Sequence, residues 1–142
     1  MPGTSLPAEH LFTLTASLGG TSVINGGPQG GRAIVAVAGG EFTGPRLQGT
    51  LVENSGGDWV TLRADGTFKL DVRITLQTDD GATILMSYQG IGIRTETGNV
   101  LRTAPLFETG DERYAWMNSV QAVGLGSSGG GKVTYDVYAL TL

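Results

Sequence analysis

Asp71 and Arg73 stand two residues apart in a run where Phe68, Leu70, Val72, Ile74 and Leu76 alternate strictly with Lys69, Asp71, Arg73, Thr75 and Gln77. A period of two is the mark of a strand buried on one side, so the acid and the base share a face, about 7 Å apart along it. Arg63 joins them across a short turn. If that face lines a cavity, the low dielectric strengthens each interaction. Asp71 then serves as a base while Arg63 or Arg73 holds a carboxylate or enolate oxygen. Glu108, in the segment FETG, is a second carboxyl able to split acid and base roles with Asp71. The plainer alternative is that the apolar row fills the interior while the charged row meets water, and that Glu108 accepts turn amides.

A second set of side chains suits recognition. Alternation through residues 114–118 puts Tyr114, Trp116 and Asn118 on one face, an amide beside two rings. Such a set, with Trp59 and Tyr88, fits a flat, partly polar ligand; core or dimer packing is the competing account. Where Tyr88 points depends on the turn at residues 78–81. A two-residue or a three-residue loop is tolerable there, and the choice sets Tyr88 either beside Arg73 or in the apolar row.

Other motifs fail on context. Gly124, Gly126 and Gly129 spell G-x-G-x-x-G, but the following KVTYDVY reads as strand, and a pyrophosphate needs a helix N-terminus. Asp79, Asp80 and Gly81 lack the alternating oxygens of a calcium loop and read as a hairpin turn. The single histidine, His10, falls in a segment expected to be floppy, which disfavours a Ser-His-Asp triad or a histidine metal site. With no cysteine in the chain, thiolate nucleophiles, zinc–thiolate sites and disulfides are excluded. The catalysts left are carboxylates, tyrosines and arginines, which move protons and stabilise oxyanions without metal or cofactor.

The elements that must position these groups are strands. Glycine occurs 24 times in 142 residues, in clusters, and between the clusters run segments of about 6 to 12 residues rich in Val, Ile, Thr, Leu and aromatics. The turn Ala64-Asp65-Gly66 predicts a three-residue loop with Gly66 left-handed, which places Val60 and Leu62 on the face of Phe68 and Leu70. Further strands are expected at residues 11–17, 32–38, 47–53, 114–123 and 132–142, with another near 100–107. The fold class is all-β: a single antiparallel β-barrel of about eight to ten strands over residues 1–142, lipocalin-like in general shape, because closure hides strand edges. An open sandwich is the alternative. The stretch GGTSVINGGPQGG is long for a hairpin loop and reads as a mobile flap or a disordered segment within a partly flexible 1–30 region.

A formal charge of −4 argues against nucleic-acid and anionic-membrane partners, which call for clustered Lys and Arg. No apolar run reaches the roughly 20 residues of a membrane span and no leader is evident, so a cytoplasmic protein is expected. A homodimer is the default assembly.

GGR at residues 30–32, GGEFTGPRLQG at 39–49, GGDW at 56–59 and RADGTFKLDVRITLQTDDGA at 63–82 recur in order with APLFETG at 104–110, YAWMN at 114–118 and VTYDVY at 133–138. Together they resemble the domain-of-unknown-function family numbered 3237, also called uncharacterised protein family 0311. The resemblance implies a compact antiparallel β-barrel and leaves the activity open. The expectation is therefore a small-molecule-binding barrel acting as a cofactor-independent acid/base enzyme, of isomerase, cyclase or lyase type, on a small aromatic or carbonyl-bearing metabolite. A carrier or sensor, or a solidly packed assembly module, are the alternatives. A cavity above about 300 Å³ favours the first two and a filled interior the last.

Overall fold

The computed structural model describes residues 5–142. Glycine-bearing turns separate ten strands: β1 (Ala8–Gly27), β2 (Gly30–Thr43), β3 (Gln48–Leu51), β4 (Gly56–Leu62), β5 (Phe68–Thr78), β6 (Thr83–Thr95), β7 (Gly98–Thr103), β8 (Leu106–Glu108), β9 (Ala122–Gly129) and β10 (Lys132–Leu140). All lie in one antiparallel sheet. β1, β2, β4, β5, β6, β7, β9 and β10 pair in that order, and β10 returns to β1, closing a ring of eight. β3 bridges β2 and β5 below β4, and β8 extends along β6 below β7. The β1–β2, β4–β5, β6–β7 and β9–β10 turns therefore crowd one rim, here the upper one, and the β5–β6 turn lies at the other.

Two turns set which side chains face inward. Arg63 and Gly66 close the first, with Arg63 N donating to Thr67 O at 3.0 Å and Gly66 at φ 87°. This three-residue loop pairs Leu62 with Phe68, so Val60 and Leu62 join the apolar row, as the sequence predicts. The second turn also holds three residues: Thr78 N donates to Ala82 O at 2.9 Å, and Gly81 takes φ 95°. Tyr88 consequently pairs with Val72 and faces inward, while Ser87 pairs with Arg73.

Two expectations about elements are corrected. Residues 114–123 are not one strand: Glu112–Ser119 forms a 3-10 helix, and β9 begins at Ala122. Asp111 starts the helix by accepting from Arg113 N at 3.0 Å, a local capping contact that alternation does not register. The Gly-rich stretch is not a loop. Its Thr21, Ser22, Val23 and Ile24 pair with Val35, Ile34, Ala33 and Arg32 of β2, leaving Pro28 and Gln29 at the turn. β2 is itself backed by β4, so the backbone pairing extends through the glycines.

The lower half of the barrel is solid. A bulge at Leu11 turns Leu11 and Phe12 both inward, and the Phe12 ring meets Phe42 at 5.4 Å and Phe107 at 6.0 Å. Leu76, Ile84 and Met117 fill the space between and are fully buried, each worth about 1.5–3 kcal/mol of apolar transfer. Among the described residues no helix is long and apolar enough to cross a membrane.

Candidate acid–base site in the upper barrel

The inward rows that pack the lower half leave a hollow of about 200 Å³ above it. That is smaller than the roughly 300 Å³ of a typical ligand pocket, yet larger than the roughly 150 Å³ that admits benzene. Leu14, Val35, Val37, Val60, Leu70 and Leu101 make the walls. Glycines on the inner face of β6 and β9 keep the space open. A Cβ at Gly126 would lie 2.4 Å from the Tyr135 ring, and one at Gly92 would lie 2.1 Å from the Phe68 ring. Either ring would have to shift to admit a larger residue at its glycine.

Three acidic side chains, Asp58, Tyr88 and Tyr135, face this apolar space. Asp58 belongs to the inward row of β4, two residues before Val60 and opposite Val72. The β4–β5 ladder lapses at Trp59 and Val60, and the freed Asp71 backbone N–H donates to Asp58 Oδ1 at 3.0 Å. Burial raises the Asp58 carboxyl from 3.8 to about 6, against the lowering effect of the Asp71 amide, and the Asp71 charge adds to the rise. Tyr88 and Tyr135 meet edge to face with centroids 5.3 Å apart. Burial pushes both phenols above their ordinary range, and the negative charge of Asp58 pushes in the same direction. Both therefore remain O–H donors at neutral pH. A carboxyl that titrates near pH 6 gives and takes protons at almost no free-energy cost in that range.

The mouth is polar. Arg94, Asn99 and Ser128 occupy adjacent strands in register, Arg94 opposite Asn99 and Asn99 opposite Ser128, and all three line the hollow. Asn99 Nδ2 donates to Ser128 Oγ at 3.0 Å.

Of the residues singled out from the sequence, Tyr88 alone lines this hollow. Asp71 and Arg73 lie on the outer face of β5, where Arg73 is exposed and Asp71 half-buried, and Asp71 reaches the site only through its amide. Arg63 is exposed at the rim, sharing a shallow depression with Arg94. Trp59 faces outward, 46% exposed, and Glu108 is exposed on β8. The 3-10 helix carries the remaining three to the bottom of the barrel. Tyr114 donates to the Asp80 carboxylate at 2.8 Å, Trp116 lies 3.6 Å beneath the Arg46 guanidinium, and Asn118 clasps the Thr109 backbone at 2.8 and 3.0 Å. His10 sits in β1, its Nε2 3.1 Å from Asp136 Oδ1, which corrects the floppy-segment expectation. This contact ties β1 to β10 on the outer surface.

The sequence reading passed over Asp58, Tyr135, Arg94, Asn99 and Ser128. A signal for Asp58 existed: once the Ala64-Asp65-Gly66 turn fixes Val60 and Leu62 inward, parity puts Asp58 inward too, a charged residue in an apolar row.

Comparison with known proteins follows the same outline. The family described as a protein of unknown function, DUF3237, matches residues 6–140. A hydroalkoxylation enzyme, phnH, of Penicillium herquei is 33% identical over 117 residues, 82% of this chain and 71% of that protein. A UPF0311 protein of Rhodopseudomonas palustris is 27% identical, covering 94% of this chain and 96% of its own. Among solved structures, a β-barrel-like protein of Acinetobacter baumannii superposes with a TM-score of 0.89 at 27% identity, over 99% of both chains. An enzyme from Penicillium herquei superposes with a TM-score of 0.77 at 26% identity, over 99% of this chain and 98% of that one.

Proposed function

This chain belongs to the DUF3237 family, and from that premise we propose that it is an acid–base enzyme that moves a proton on a small unsaturated molecule held in the upper barrel, with Asp58 as the acid and base. The observation that carries the reading is a carboxyl raised to about 6 inside an apolar hollow, beside two phenols that stay protonated. The Penicillium relative is named for hydroalkoxylation, the addition of O–H across a carbon–carbon double bond, and this site has the parts for that class of reaction.

Protonated Asp58 delivers its proton to one alkene carbon, and the π pair forms the new C–H bond. The adjacent carbon, now electron-poor, faces the Tyr88 and Tyr135 rings, whose π clouds favour positive charge. The substrate hydroxyl oxygen closes the C–O bond, and its proton passes to the Asp58 carboxylate, restoring the acid. Within one molecule the result is a cyclisation without change of composition, an isomerisation. The Asp71 amide orients the carboxyl throughout. The apolar walls exclude the water that would compete for the cation.

The test uses 2-(3-methylbut-2-enyl)phenol in deuterium oxide. Ring closure should place one solvent deuterium on the carbon next to the new ether carbon, and Asp58→Asn should slow closure by about 10²-fold or more. Turnover in the Asn variant at the parent rate, or product free of deuterium, rejects Asp58 as the proton donor.

A further inference from the structure

The mouth of the hollow is built differently from its interior. Arg94 continues the inward row of β6 after Tyr88, Gly90 and Gly92, so its guanidinium stands over the opening. Among the described residues the ion pairs are His10–Asp136, Arg46–Glu9 and those of Arg113 with Asp80 and Asp111; Arg94 takes part in none. Ser128 Oγ accepts from Asn99, which leaves its own O–H free to turn toward the opening. A planar cation, a hydroxyl donor and an amide thus lie in one line across three strands, above a space whose walls are hydrocarbon. Other Lys and Arg residues of the described chain also lack an ion pair, and Arg94 is set apart from them by lining the hollow.

We propose that the ligand of the hollow is a carboxylic acid, its carboxylate held at the mouth by Arg94 and Ser128 while its uncharged part reaches down to Tyr88 and Asp58. The proposal rests on the reading of the hollow as a ligand site. A guanidinium fork matches a carboxylate in two parallel hydrogen bonds, a geometry an ammonium group does not reproduce. The spacing sets the ligand's shape. Arg94 stands six positions along β6 from Tyr88, about 20 Å of strand rise, shortened by strand tilt and by the inward reach of both side chains. The acid is accordingly elongated, with several bonds between the carboxylate and the group beside Asp58. Arg63, exposed in the neighbouring depression, lies to one side of this line and serves as the control.

The experiment compares phenylacetate, 4-phenylbutyrate and 6-phenylhexanoate with the corresponding alcohols, by calorimetry on the full chain, while the Tyr88 and Tyr135 ring resonances are followed by NMR. For the longest pair the acid should bind about tenfold more tightly than the alcohol at low salt, and the preference should shrink as the spacer shortens. Arg94→Gln should abolish the preference by weakening the acid about tenfold, Arg94→Lys should keep part of it, and Arg63→Gln should change it less than twofold. Equal affinities for acid and alcohol, with both moving the Tyr88 and Tyr135 resonances, overturn the carboxylate proposal and leave the hollow as a ligand site. A preference that survives Arg94→Gln overturns it as well. Ligands that move neither tyrosine resonance overturn both the proposal and the ligand-site reading.

Discussion

The two ends of the barrel treat their acids in opposite ways. At the lower end Asp80 receives hydrogen bonds from Thr78 and Tyr114 and an ion pair from Arg113, and Asp111 receives the Arg113 side chain and backbone N–H. Those contacts hold both carboxyls below the usual carboxylate range, and Asp111 holds Arg113 above its own. At the upper end the half-buried Asp58 accepts one backbone N–H and shares its hollow with apolar side chains and two phenols, and its carboxyl rises to about 6. An acid met by several donors and a guanidinium anchors a turn. An acid partly withdrawn from water with one donor is left near neutrality, where proton transfer is easy in both directions. The lower half is also packed solid around Phe12, Phe42 and Phe107, whereas glycines hold the upper half open.

That contrast breaks most visibly in the core. Met117→Ala empties a fully buried site in the floor and should cost about 2–5 kcal/mol in urea unfolding, with ligand affinity unchanged in the folded fraction. A loss of binding equal to that of a hollow variant would show that the two halves are coupled.

Asp58→Asn should act in the opposite sense. The folded-state carboxyl is raised above its ordinary value, so folding holds its proton more tightly. The stability tied to that proton is fully present below about pH 4 and is lost as pH rises through about 6. A carboxyl carried from 3.8 to about 6 corresponds to about 3 kcal/mol once ionised. The Asn variant should therefore be more stable than the parent by about 2–3 kcal/mol at pH 8 and equal to it near pH 3. Urea titrations at the two pH values check this; a variant less stable at pH 8 would show that the charged carboxylate contributes to the fold.

The smallest effect is expected from Tyr114→Phe, which removes the phenol donor from exposed Asp80. Because the Asp80 carboxyl is lowered, its contribution is present above its ordinary pKa and is lost as pH falls through the folded value. The variant should be slightly less stable than the parent at pH 7, and the difference should vanish in strong acid. A thermal melt series from pH 7 to pH 2 would reveal it.

Much of this barrel was legible. Strict alternation in residues 68–77 gave β5 and its two faces, and Gly66 gave the first turn and the placement of Val60 and Leu62 on the face of Phe68 and Leu70; the structure turns that face inward. Tyr88 was legible as a residue and ambiguous in direction, because one extra loop residue at Thr78 reverses every side chain after it. The charged pair Asp71 and Arg73 drew attention for its chemistry, yet the same alternation that defines β5 puts it outside. Tyr114, Trp116 and Asn118 were misplaced because a capped 3-10 helix interrupts the strand pattern.

The sequence by itself determined the all-β class, strand β5 and the turn that puts Val60 and Leu62 on the face of Phe68 and Leu70, since these follow from local backbone geometry with a period of two. Only the tertiary structure decided which face points inward, which inward positions stay unfilled and which acid is partly withdrawn from water. The hollow that Asp58 faces is lined from all eight strands of the ring, brought together by closure, and no single segment contains it.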